Sequence, residues 1–145
     1  MSKKFKYQSE IDALIDEGVR MPELIDPNDK ESYRYVFDSD HPNNHLPAYI
    51  IKPKRILQHK KRSQLTCCGY SLSCFDNIES AIDKFNKFSK NNKNFWKTVG
   101  NSICYGYIRD TFGLITEVNY TPHFELFEYE NCDLSKHFNI IRSLV

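Results

Sequence analysis

Apolar positions along the chain follow two periods. From Ile78 to Phe88 the spacing is helical: Ile78, Ala81, Ile82, Phe85 and Phe88 form one stripe, with Glu79, Asp83, Lys84 and Lys87 off it. Asp76 and Glu79 stand three apart, the spacing of a capping box with Asp in the usual Ser/Thr place. A principal amphipathic helix is therefore predicted over about 76–90. The segment GYSLSCF just before it reads as buried strand, the end of a longer strand 65–75 in which Gly69 marks a bulge or a close backbone approach.

The rest of the chain is placed around that strand-turn-helix unit. Residues 9–17 form a short N-terminal helix, with Ser9 as cap, Ile11, Leu14 and Ile15 on one face, and Gly18 as stop. Pro22 and Pro27 impose extended or turn structure, so residues 1–31 read as an arm packed on the body. YRYVF (33–37) is dense in β-formers and reads as the first strand, followed by the polar loop DSDHPNN. Residues 46–51 read as a short strand, which Pro47 and Pro53 make an edge or an irregular segment. Residues 95–99 make a helical turn closed by Gly100. Residues 103–109 alternate, turn at 110–113 and return over 114–118 as a hairpin. A turn at 119–122 leads to a strand at 123–129, and 138–144 supplies the last one. This order predicts a single α+β domain with a mainly antiparallel sheet.

Composition narrows the function classes. A chain of 145 residues with 40% hydrophobic and 27% charged residues can bury one core. Ten Phe, nine Tyr and one Trp leave rings to spare for a binding surface. The net charge of +1 gives no global field toward nucleic acid or membrane. No apolar run approaches the ~20 residues of a membrane span, and the basic, amphipathic start has no secretory apolar region. Five cysteines, an odd number, read as reduced thiols in a cytoplasmic protein.

Local chemistry is concentrated in a few places. KPKRILQHKKR (52–62) carries Lys52, Lys54, Arg55, Lys60, Lys61 and Arg62, which can hold a phosphate backbone, or simply form a solvated loop or edge. Cys67, Cys68 and Cys74 make no CxxC pair, and His41 and His45 lie in a proline-containing loop, so no metal site is expected. Cys74 stands before a helix N-terminus and could serve as a nucleophile with His123 or His137, but core packing suits it better. His123 and Glu125 alternate onto one strand face, where an acid–base pair could serve a small nuclease with Arg34 or Arg109 on the phosphoryl group. The scattered glycines exclude a P-loop.

Arg34 on an early strand, Ser71 and Ser73 on a strand entering a helix, and Glu125 or Glu128 on a later strand form one more constellation. It resembles the pattern of ADP-ribosyltransferase-like enzymes. The resemblance implies that Arg34 helps hold NAD, that a Ser stabilises the nicotinamide side and that a Glu assists transfer. Arg34 could equally pair with Glu125 or Glu128 across strands. The leading expectation is a small binding module without a cofactor, acting through a basic and aromatic surface on nucleic acid or a protein partner. An ADP-ribosyltransferase-like enzyme using NAD, and a small nuclease or an immunity or accessory protein, stand as alternatives.

Overall fold

The computed structural model describes residues 3–118 and 121–145. Among these residues seven antiparallel strands form one sheet in the order β1-β5-β6-β3-β2-β4-β7. They are β1 (Leu24–Ile25), β2 (Lys30–Val36), β3 (Leu72–Phe75), β4 (Ser102–Ile108), β5 (Gly113–Thr116), β6 (His123–Glu128) and β7 (Asn139–Ser143). Five helices accompany them: α1 (Gln8–Asp16), α2 (Ala48–Ile51), α3 (Lys54–Lys61), α4 (Ile78–Ser89) and α5 (Phe95–Val99). The protein is α+β, as its patterning predicts. Among the described residues no helix is long and apolar enough to cross a membrane.

The sheet is forced to curl. β4 and β5 lie four places apart in the sheet, roughly 19 Å if it were flat. Residues 109–112 must join them, a link that reaches about 18 Å only when fully extended. The link is instead folded by a Phe112 N–H to Arg109 carbonyl bond of 3.0 Å. β4 and β5 are therefore brought round toward each other, and the inner face closes over Leu72, Cys74, Cys104, Ile108, Ile115, Phe124 and Leu126. Leu134 and Phe138 complete that inner core. The expected 103–118 hairpin does not form. β5 pairs with β1 and β6, while β4 pairs with β2 and β7.

The outer face carries two helical layers. Ile11 and Leu14 of α1 and Tyr49 of α2 pack with Cys67, Tyr70 and Phe127. On the other half, Ala81 of α4 packs with Phe75 and Ile103, and the Tyr35 hydroxyl donates to the Ala81 carbonyl at 2.5 Å. α4 begins one residue later than the capping-box reading: Asn77, not Asp76, accepts the N–H of Ser80 at 2.8 Å. The stripe is otherwise legible, with Phe85 buried and Phe88 half exposed at its far end. α1 starts at Gln8 without a side-chain cap, so Ser9 does not cap it.

Three segments differ from expectation for identifiable reasons. Residues 48–51 are helix rather than edge strand, because Pro47 occupies the N-cap, where its missing N–H costs nothing. The basic segment is likewise helix α3, with Pro53 as N-cap. The strand expected over 65–75 is strand only from Leu72. Cys67–Tyr70 is a 3-10 turn whose Gly69 lets the Tyr49 ring approach to where a Cβ would stand, 2.1 Å away. The turn expected at 119–122 falls partly on residues 119 and 120, outside the described residues.

Gly100 ends α5 with φ +119°, and a Cβ there would lie 2.3 Å from the Val36 carbonyl oxygen. Backbone cannot swing aside as a side-chain tip can. Gly100→Ala is expected to lower unfolding free energy by about 2–4 kcal/mol, read as a drop in denaturant midpoint at unchanged m-value. An unchanged midpoint would contradict this packing.

Candidate ligand-binding cleft

Between the two outer helical layers lies a cleft of about 410 Å³. Its floor is the region where β2 and β3 part: they share one register pair, Tyr33 with Phe75, whereas β2 and β4 share seven. Lys52 and Arg55 flank it on one side, and Lys84, Phe88 and Phe95 on the other. Arg34, Ser71, Ser73 and His123 lie along its base.

Arg34 bridges the gap between the strands. Its Cα faces inward by register with Cys104, yet the guanidinium reaches the Ser73 carbonyl of β3. It also donates to the Asn44 carbonyl at 3.3 Å and to His45 Nδ1 at 3.4 Å. A β3 carbonyl next to the gap in the ladder is thus satisfied by a side chain. Asn44 is itself fixed to the main chain of Phe37 by 2.7 and 3.2 Å bonds. His45 must be neutral to accept from Arg34. Burial, reinforced by the Arg34 charge, pushes its pKa down to about 3. Arg34 therefore pairs with neither Glu125 nor Glu128, and its donors are largely committed to the fold.

Ser71, Ser73, His123 and Glu125 share the outer face. Ser73 and Glu125 are register partners on β3 and β6, and His123 is two residues before Glu125. The Ser71 hydroxyl stands 2.6 Å from Glu125 Oε2, His123 Nε2 stands 3.4 Å from Glu125 Oε1, and the same nitrogen is 3.1 Å from Ser73 Oγ. Burial raises the Glu125 pKa and lowers that of His123 to about 4, the latter helped by the nearby Lys84 charge. The arrangement can hold or pass a proton, and it presents a hydroxyl and an imidazole to the cleft.

The other candidates are separated from this group. Glu128 faces inward, nearly fully buried, and accepts from Lys6 at 3.0 Å, so it does not join Arg34 and Glu125. Of the basic segment, Lys52 and Arg55 line the cleft, while Lys54, Lys60, Lys61 and Arg62 do not. Lys60 pairs with Glu17 at 3.0 Å. Cys74 is buried on the inner face, away from His123, and burial pushes its thiol up to about 12, which leaves no thiolate nucleophile. Arg109 pairs with Asp29, outside the cleft. Among the described residues no group of three or more His, Cys, Asp or Glu side chains is placed to hold a metal ion.

Sequence reasoning missed Lys84, Phe88 and Phe95 as cleft residues, along with Asn44 and His45 as the supports of Arg34. Lys84 has a signal in hindsight: it follows Asp83 just off the apolar stripe, where a long side chain can lean over the groove edge. Asn44 has none, because its role depends on a loop folding back onto β2.

Both histidines are held neutral in the fold, below the ordinary value of 6.5. A depressed histidine contributes stability above its unfolded pKa and loses it as pH falls toward the folded value. Stability is expected to decline between about pH 6.5 and 4, by up to about 1.4 kcal/mol per pH unit for each group. His45→Asn, which keeps an acceptor for Arg34, should reduce that slope in denaturant titrations, and an identical slope would rule His45 out. No family model, curated protein or solved structure matches this chain in comparisons with known proteins.

Proposed function

We propose that the protein is a binding module for single-stranded nucleic acid, taking one unstacked nucleotide into the cleft. The observation that carries this reading is the convergence of cations and rings on one concavity. Lys52, Arg55 and Lys84 line it, and none of them is ion-paired among the described residues. Phe88 and Phe95 stack at 5.2 Å beside them, with Phe88 47% exposed. A charged groove for the backbone with aromatic faces for bases is what sequence-tolerant strand binding requires. The volume suits one nucleotide-sized unit and not a duplex. The outward cations of α3 extend the field along the strand path. Five free cysteines fit a reducing, cytoplasmic setting.

Fluorescence anisotropy with labelled single- and double-stranded oligonucleotides tests this. Single strands should bind more tightly, and three cleft contacts give a slope of about −2 in log affinity against log salt. Arg55→Ala should reduce that slope by about 0.7 and weaken all sequences alike, whereas Lys54→Ala should do less. No binding at micromolar protein and low salt would end the reading, and a protein co-purifying on this face would replace it.

A second reading, an ADP-ribosyltransferase-like enzyme using NAD, is supported by one observation: the Arg34 guanidinium meets the Ser73 main-chain carbonyl at the β2/β3 gap, at a cleft that Ser71 and Ser73 also line. Glu128 stands outside that group. Under this reading labelled NAD should release nicotinamide, with at least about 100-fold loss on Glu125→Gln, as befits removal of a transition-state contact. Absence of release by the wild-type protein would leave the binding module alone.

A further inference from the structure

A carboxyl and a neutral imidazole sit in contact at the base of a cleft flanked by cations, which anion binding alone does not require. We propose that His123 and Glu125 form a proton-accepting pair that sets the charge preference of the cleft, so that an anion binding there brings a proton with it. The inference rests on the cleft being the ligand site.

The hydrogen-bond count carries it. The Ser71 hydroxyl has one proton but two acceptors in reach, the Cys68 carbonyl at 2.8 Å and Glu125 Oε2 at 2.6 Å. Both contacts are satisfied when Glu125 carries a proton and donates it to Ser71, which then donates its own to Cys68. On the other side, Glu125 Oε1 meets His123 Nε2, which also meets Ser73 Oγ. The chain of four groups can therefore hold an added proton without rearranging. It ends at Ser73 and His123, both of which line the cleft.

The surrounding charges give the sign. Lys84 on α4 opposes a charge on His123, while burial, which raises the Glu125 pKa, is opposed first by the Ser71 hydroxyl and then by Arg34 on β2 and Lys84. Lys52 and Arg55 face the same cleft from the α2 and α3 side. Cys68 feels Glu125 from the 3-10 turn, the Thr116 hydroxyl of β5 accepts the Glu125 N–H, and Asp76 follows Phe75, the register partner of His123. An anion entering beside these groups favours the protonated form of both His123 and Glu125. The two effects add, and the proton enters with the ligand.

The probe is a three-nucleotide oligothymidylate, because its diester phosphates and its bases do not titrate in the range used. At constant ionic strength its affinity should rise several-fold as pH falls from about 6.5 to about 4.5. Glu125→Gln, which mimics the protonated carboxyl, should tighten binding at the higher pH and flatten the profile. A residue that only supports the fold would weaken binding instead. His123→Gln should lose much of the acid gain, and since His123 is partly exposed this variant carries the test if the buried one fails to fold. Binding that is independent of pH, a full gain surviving His123→Gln, or an unchanged profile in Glu125→Gln would each overturn the pair while leaving the cleft reading intact. No binding at either pH would remove both.

Discussion

The fold depends on how Arg34 occupies the gap between β2 and β3. A sheet interior with one register pair between two strands leaves backbone groups without partners, and such groups are costly when buried. Arg34 supplies a donor to the Ser73 carbonyl and fastens the returning loop through Asn44 and His45. A lysine could not span these three acceptors, since the planar guanidinium directs its donors in a fixed fork. The parted strands then leave room on the outer face, and that room is the cleft. Its position is a by-product of unequal strand pairing, repaired on the inside by one buried cation.

Electrostatics in the cleft follow from the same division of the sheet. Arg34 is buried and is held by neutral acceptors, with no carboxylate partner among the described residues. The outer face is partly open and carries exposed Lys52 and Lys84 across from each other. Between them sit groups that burial drives toward neutrality, His123 and Glu125. Exposed positive charge at the flanks and groups that burial holds toward neutrality at the base distinguish this concavity from the second cavity near Lys6, Asp40 and Glu130. There the carboxylates dominate, and the unbonded Glu128 oxygen is sealed from solvent.

How much of this was legible depended on whether the cause was local. The α4 stripe, the β-formers of β2, the alternation of β4 and β6, and the helix-ending Gly100 are local patterns and match the fold. The shared face of His123 and Glu125 followed from strand alternation alone. The β4–β5 connection did not, because a short turn between two strands suggests a hairpin unless the whole sheet is known to curl. Pro47 and Pro53 misled for a related reason: each reads as a strand breaker, yet each starts a helix. The cleft cations divided likewise. The density of charge in 52–62 was visible, but which two of six face the groove depends on the helix phase.

The long ladder between β2 and β4 joins residues 30–36 to 102–108, some seventy positions away. Such pairings form late, because the loop-closure entropy between them must be met before their hydrogen bonds contribute. Both the base and the outer edge of the cleft wait on the C-terminal half, since His123 and Glu125 arrive only with β6. On a ribosome, the basic helix α3 is therefore made and exposed well before the cleft exists. The cleft takes shape only once β6 has been made and paired with β3.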